Sequence, residues 1–213
     1  MLLKHTDTMT YDALATREVI TGTIVALTKR GVTGITVENR TEALEYIKSL
    51  IPPSASVMNG SSRTLEEIGF IEYLKSGTHG WTNLHEEILL EKDMAKQTIL
   101  RKYAVLSDYY LGSVHAVAET GELVFASNSG SQLPHIAYTS PNLIFAVGTQ
   151  KITPNLPAAL VRVREYVLPL EDQRMKDAGM GGSAISKLLV FEREPAFMGR
   201  KVHVIFVNEK LGF

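Results

Sequence analysis

The apolar run at residues 143–148, Leu-Ile-Phe-Ala-Val-Gly, is the feature that most constrains the fold. Its apolar residues are consecutive rather than alternating, which is typical of a β-strand covered on both faces. A strand of this kind needs layers packed on either side of its sheet, and helices usually provide them. The run therefore favours an α/β protein with a parallel sheet.

Strand-like runs and helical patterns alternate along the rest of the chain. The capping-box sequence that starts at Thr64 opens one predicted helix, and Pro157 and Pro169 are expected to open and close another. Further strands are predicted at residues 35–37, 55–58, 114–119, 123–126, 188–191 and 202–207, with a hairpin turn at residues 120–121. Helices are predicted at residues 11–30, 44–50, 64–76 and 156–167, with a further helical pattern that continues through Met175 and one or two more helices between residues 82 and 104. The prediction is one α/β domain over residues 1–213, with residues 1–31 as an N-terminal helical segment.

Composition excludes several functional classes. The chain has 22 Lys and Arg against 23 Asp and Glu, so its net charge of −1 offers no broad attraction for nucleic acid or an anionic membrane. It has no cysteine, which rules out cysteine-held iron–sulfur clusters and zinc–thiolate sites in these residues. No stretch resembles a signal peptide or a membrane helix. We therefore expect a cytoplasmic protein whose electron chemistry, if any, belongs to a partner or a diffusible cofactor.

Two polar loops are candidate ligand sites, because each follows a predicted strand and precedes a helical pattern. The first contains Gly60, Ser61, Ser62 and Arg63, and its backbone N–H groups, its guanidinium and the hydroxyls of Ser61, Ser62 and Thr64 could converge on an anion. The second contains Asn128, Ser129, Gly130 and Gln132, whose polar side chains could hydrogen-bond a carboxylate, a phosphate or a sugar. In each case the alternative is an ordinary turn or helix cap.

Three isolated residues could carry chemistry. Glu119, at the end of a predicted strand, could act as a nucleophile or general base, or be an exposed hairpin end. His115 shares a strand face with Glu119 and could orient a substrate, or be a hydrogen-bonded core histidine. Lys151, after another strand, could meet an anion or be solvated. No metal is predicted, because His79 and His85 match no metal-binding motif.

Several segments resemble the lactate-utilization (LUD) domain family, which includes LutC-like and YkgG-like proteins. These segments are residues 59–69 (NGSSRTLEEIG), 112–124 (GSVHAVAETGELV), 126–134 (ASNSGSQLP), 147–152 (VGTQKI), 163–166 (VREY) and 199–209 (GRKVHVIFVNE). The resemblance spans nearly the whole chain. It implies an α/β fold like that of ribose-phosphate isomerase, glucosamine-phosphate deaminase and coenzyme A transferases, with ligands beside loops at the ends of the strands.

The resemblance also implies a role in organic-acid metabolism of the lactate type. We expect the protein to bind a small anionic metabolite and to act with iron–sulfur partner proteins, itself holding no cofactor covalently or through cysteine. One alternative is an autonomous transferase or isomerase acting on a coenzyme A ester or phosphorylated metabolite, because residues 119–121 are similar to the Glu-x-Gly step that carries the catalytic glutamate of some coenzyme A transferases. A non-catalytic sensor or scaffold is a further alternative, and a homodimer is one assembly left open.

Overall fold

Residues 11–213 are the part of the chain that this computed structural model describes. Their strands are β1 (Thr33–Val37), β2 (Ser56–Asn59), β3 (Thr82–Asn83), β4 (Tyr109–Gly112), β5 (Ala116–Ala118), β6 (Leu123–Ser127), β7 (Asn142–Gly148), β8 (Ile152–Thr153), β9 (Lys187–Phe191) and β10 (Lys201–Val207). Their α-helices are α1 (Arg17–Lys29), α2 (Arg40–Leu50), α3 (Arg63–Glu67), α4 (Phe70–Lys75), α5 (Leu84–Leu90), α6 (Met94–Tyr103), α7 (Leu156–Arg162) and α8 (Leu168–Asp177). None of these helices is long and apolar enough to cross a bilayer.

A six-stranded parallel sheet forms the centre of the molecule, in the order β1-β10-β7-β4-β2-β3. The run that predicted a doubly covered strand is β7, and residues 143–148 are all buried. Leu143, Phe145 and Val147 face one hydrophobic core, whereas Ile144 and Ala146 face a second core on the other side of the sheet. The predicted α/β fold is confirmed.

The two cores have different coverings. On one face, α2, α3 and α4 bury side chains such as Ile47, Leu65 and Phe70 against the sheet. On the other face lie α1 and a second sheet, where Phe125 contacts Phe145 with ring centroids 4.9 Å apart. Complete burial of one side chain of this size contributes about 1.5–3 kcal/mol, so both cores are needed to hold the central strands.

The second sheet has four strands in the order β8-β5-β6-β9. The predicted hairpin at residues 120–121 joins β5 to β6, which pair antiparallel, while β8 adds to β5 in parallel. Its second face packs against α7 through Ala116, Val124 and Ala159. A separate sheet was not predicted, because the sequence shows which runs are strands but not which strands pair.

Three predicted helix starts were wrong. The helix predicted from residue 44 begins at Arg40, with Asn39 as its N-cap. The structure begins α1 at Arg17, with Thr16 as its N-cap, so residues 11–16 are not helical. The remainder of the predicted N-terminal segment, residues 1–10, lies outside the described residues. The helix predicted from Thr64 begins one residue earlier, because the hydroxyl of Ser62 accepts the N–H of Leu65 and caps it. It also divides into α3 and α4 at Gly69, whose φ is +80°.

Pro169 does not close the helical segment that starts at residue 156. A single π-helical turn, Val163–Val167, connects α7 to α8, and Pro169 occupies the first turn of α8. Proline is tolerated there because its missing N–H has no required partner in a first turn. Strand β4 was also missed, since it directly follows a helical pattern and contributes only four residues.

Candidate functional site

A cleft of about 520 Å³ lies at the carboxyl edge of the parallel sheet. Strands β2, β4 and β7 all end at this edge because they run parallel, so the loops that follow them converge. The loop after β6 joins them from the second sheet. Nine residues predicted from the sequence line this cleft: Gly60, Ser61, Ser62, Arg63, His115, Asn128, Ser129, Gln132 and Lys151.

Two predicted residues do not line the cleft. Gly130 lies in the turn beside it, with φ at +89°, and its N–H donates to the hydroxyl of Ser127. Glu119 lies at the far end of β5 from His115, about 13 Å along the extended chain. Its backbone N–H donates to the carbonyl of Thr153. The structure therefore does not bring Glu119 together with the other candidates.

Lys151 is the best-defined polar group of the cleft. Its side chain descends from the 3₁₀ turn after β7, and the residue is only 3% exposed. The Nζ atom donates to Thr64 Oγ1 at 3.0 Å, to Ser113 Oγ at 3.1 Å and to the Val114 carbonyl at 3.4 Å. Among residues 11–213, no carboxylate lies within 4.0 Å of this amine.

The surroundings of Lys151 disfavour its charged form. Burial and, to a smaller extent, the positive charge of Arg162 together lower its pKa to about 7, against an opposing effect of Glu67. Arg162 is itself completely buried, with its guanidinium carbon 5.1 Å from the ring centroid of Tyr166. Lys151 is therefore divided between the ammonium and the neutral amine near pH 7.

His115 presents a fixed tautomer at the base of the cleft. Its Nδ1 accepts the backbone N–H of Ala126 at 3.2 Å, which leaves the ring proton on Nε2. Burial lowers its pKa to about 3, and the charges of Lys151 and Arg162 act in the same direction. His115 is thus a neutral hydrogen-bond donor rather than a cation or a general base at neutral pH.

The loop after β2 is held against the loop after β6. A Cβ atom on Gly60 would lie 2.5 Å from the Tyr110 hydroxyl, so only glycine allows this approach. The same hydroxyl donates to Gln132 Oε1 at 3.4 Å, and Gln132 Nε2 donates to the Ala126 carbonyl at 2.9 Å. Gly60 and Gln132 therefore join the two loops and shape the cleft.

Charged groups at the rim are largely paired. Arg63, half exposed, lies 3.0 Å from a carboxylate oxygen of Glu66 and 3.7 Å from one of Glu67. Arg174 forms a two-pronged pair with Glu171, with contacts of 2.7 and 2.8 Å. Arg63 and Arg174 therefore have carboxylate partners, whereas Lys151, the third Lys or Arg residue among those that line the cleft, has none within ion-pair range among residues 11–213.

The opposite wall of the cleft is aliphatic. It comes from the π-helical turn, from α8 and from the glycine-rich segment that follows. The apolar wall residues are Val163, Val167, Leu168, Met175, Met180, Ala184 and Ile185. The cleft therefore presents hydroxyls, amides and an amine on one side and apolar side chains on the other, which suits a small molecule with one anionic end.

Sequence reasoning missed two parts of this site. Ser113 was not considered, although its hydroxyl contacts Lys151, as does the hydroxyl of Thr64, which was considered with Ser61 and Ser62 as a possible anion contact. The second is Gly212, whose backbone N–H donates to Glu67 at 2.7 Å and which lies close to Thr64. Ser113 directly follows β4, so recognition of that strand would have placed it at the same edge of the sheet.

Metal binding has no structural support in the part of the chain described. Residues 11–213 contain no group of three His, Cys, Asp or Glu side chains arranged to hold an ion. His79 is one of the two histidines considered. Its Nδ1 accepts the backbone N–H of Trp81, and its ring stacks against the indole of Trp81 with ring centroids 5.2 Å apart. It supports the second core rather than a site.

The fold and the cleft define an α/β protein with a polar pocket at the carboxyl edge of a parallel sheet. The family model of the LUD domain matches residues 20–207, and the chain therefore belongs to the LUD domain family. A crystal structure of a DUF162 family protein from Deinococcus radiodurans has a similar fold, with a TM-score of 0.54 and 12% sequence identity over 92% of this chain and 100% of that chain. No curated protein matches the chain.

Proposed function

We propose that this LUD-domain protein binds a small anionic metabolite, of the organic-acid class, in the cleft around Lys151. The observation that carries the proposal is the buried amine. It is surrounded by neutral oxygens at 3.0–3.4 Å, and among the described residues it has no carboxylate in ion-pair range. A buried ammonium without a counter-charge is unfavourable, and an anionic ligand would supply one.

The shape of the cleft supports a small ligand. A volume of about 520 Å³ lies within the range of about 300–1,000 Å³ that is usual for metabolite pockets. Ser61, Asn128 and Ser129 offer hydrogen-bonding groups near the amine's side of the cleft, and the aliphatic wall would cover the carbon skeleton. A carboxylate or phosphate on a short carbon chain fits this arrangement.

We further propose that the protein acts with redox partner subunits. The LUD family is related to lactate utilization, and oxidation of a hydroxy acid requires an electron acceptor. The 213 residues contain no cysteine to hold an iron–sulfur cluster, so the acceptor is assigned to a partner protein or a diffusible cofactor. In this arrangement the LUD domain binds the organic acid and the partner carries the electrons.

Thermal-shift measurements with wild type, Lys151→Met and Arg63→Ala test the binding proposal. A panel of lactate, pyruvate, sugar phosphates, nucleotides and coenzyme A esters covers the candidate anions, and a ligand bound to the native state raises the midpoint by mass action. We expect an organic acid or small phosphate to stabilise wild type, and Lys151→Met to abolish the shift. Lys102→Met, on exposed α6, is the matched control. A shift that survives unchanged in Lys151→Met would refute the assigned site.

The transferase alternative depended on Glu119, which the structure places away from the cleft. Turnover of a coenzyme A ester by the purified protein, abolished by Glu119→Gln, would support that alternative against ours. The sensor alternative shares the binding site and differs only in lacking turnover. Binding at Lys151, without any turnover when candidate iron–sulfur partners are added, would favour the sensor.

A further inference from the structure

We propose that Lys151 forms a covalent imine with the carbonyl carbon of an anionic aldehyde or ketone bound in the cleft, of which a 2-oxo acid is the simplest. The inference rests on the proposed function and narrows its ligand class. It assigns Lys151 a bond-forming role rather than only an electrostatic one.

The contacts of the amine allow it to become a nucleophile. The ammonium form uses its three hydrogens on Thr64, Ser113 and the Val114 carbonyl. The neutral form keeps two hydrogens for two of these oxygens and gains a lone pair, and because the carbonyl can only accept, one of the two hydroxyls is the group that can take up the proton released by the amine. Both hydroxyls line the cleft, and each has a second acceptor, the Val114 carbonyl for Ser113 and the Leu211 carbonyl for Thr64, but Ser113 is half-buried whereas Thr64 is only 1% exposed. Ser113 is therefore the group placed to exchange a proton with the amine.

The electrostatic surroundings keep the neutral form available. Lysines that form imines in enzymes are activated by desolvation or by a neighbouring cation, and burial and Arg162 supply both effects here. With its pKa at about 7, about half of Lys151 is neutral at pH 7, about a thousandfold more than for an exposed lysine. Among residues 11–213 no carboxylate lies within 4.0 Å of the amine, and the opposing effect of Glu67 on its pKa is smaller than those of burial and Arg162.

The proposed step balances without a redox partner. The Nζ lone pair attacks the carbonyl carbon and forms a C–N bond, while the C=O π electrons move to oxygen, which takes a proton. The resulting carbinolamine loses its hydroxyl as water, and the nitrogen lone pair forms the C=N bond. The Ser113 hydroxyl is placed to relay the protons between nitrogen and oxygen. Amine and carbonyl are converted to imine and water, with no change in oxidation state.

The opposing explanation is a structural lysine. Its amine connects the start of α3 to the link between β4 and β5, and such a role would by itself account for the burial. A structural amine would neither react with a carbonyl nor be protected by an anion in the cleft. Covalent trapping therefore separates the two explanations.

The experiment treats the whole protein with pyruvate and sodium cyanoborohydride at pH 7, followed by intact-mass analysis and peptide mapping. We expect one reduced pyruvate adduct, on Lys151, labelled at least about tenfold faster than exposed lysines such as Lys102 because of its larger neutral fraction. Lactate has the same carboxylate but no carbonyl, so it should give no adduct and should slow the labelling by pyruvate. Glyceraldehyde 3-phosphate is the second carbonyl probe. Peptide mapping of wild type identifies the site even if a variant fails to fold.

Variants then distinguish the imine proposal from the proposal that the cleft binds an anionic metabolite. Lys151→Arg keeps a cation but has no amine that can form the adduct, so it should lose the trapped product even where it still responds to lactate in the thermal-shift assay. Ser113→Ala should slow trapping by a larger factor than it weakens lactate binding. A lactate shift in wild type, with no preferential adduct at Lys151 from either carbonyl probe, would overturn the imine while the proposed function stands. The absence of both a shift and an adduct would overturn the two together.

Discussion

Replacement of Lys151 by methionine should remove a specific pH dependence from the stability of the protein. The folded pKa of about 7 lies below the unfolded value of 10.5, so between these values the unfolded chain binds the extra proton. Stability therefore rises with pH through this window. By this linkage, Lys151 should add about 2 kcal/mol to the free energy of unfolding of wild type between pH 7 and pH 9. In Lys151→Met this contribution is absent. Below pH 7 both states are protonated, and the contribution levels off.

Urea denaturation at pH 6, 7, 8 and 9 measures this difference, since subtracting the two free energies of unfolding cancels groups that titrate equally in both proteins. The charged groups that act on the amine are Arg162 and Glu67, and neither of them is replaced in this comparison. Lys102→Met, at an exposed position, should give a difference that stays flat with pH. Parallel curves for wild type and Lys151→Met from pH 7 to 9 would refute a neutralised, buried lysine.

Three further predictions concern the cleft and the core. Gly60→Ala should lower the stability of the protein by about 1–3 kcal/mol, because the added Cβ would lie 2.5 Å from the Tyr110 hydroxyl. Thermal denaturation measures this loss, with Gly22→Ala as the control because a Cβ on that helical glycine has open space. A Gly60→Ala protein as stable as wild type, or more stable, would contradict the close approach. The ring of His115, with its pKa at about 3, should keep the NMR pattern of a neutral imidazole between pH 8 and pH 5, and conversion to an imidazolium with a midpoint near pH 6.5 would disprove the lowered pKa. Phe145→Ala should cost about 3–5 kcal/mol in chemical denaturation, and a loss below about 1 kcal/mol would mean that this side chain is not central to the first core.

The loops of the site could be predicted because turn chemistry is local. Gly60 and Ser62 follow a strand and precede a helix in the sequence itself, and nine of the predicted residues do line one cleft. Glu119 was grouped with His115 because residues two or four apart share a strand face. That rule holds within a strand, but β5 has only three residues, and His115 and Glu119 lie just beyond its two ends. His115 lines the cleft and Glu119 does not.

The sequence by itself determined the buried strand at residues 143–148, the hairpin at residues 120–121 and the family, because periodicity, turn residues and motifs are properties of neighbouring residues. Only the tertiary structure decided the contacts and the protonation state of Lys151. Its partner Thr64 lies 87 residues away, and its neutral state results from burial and from Arg162 on another helix. An isolated lysine in a sequence is expected to be solvated and charged. Desolvation and charge proximity depend on distances that only the folded chain defines, so the chemistry of this residue appears only in the assembled cleft.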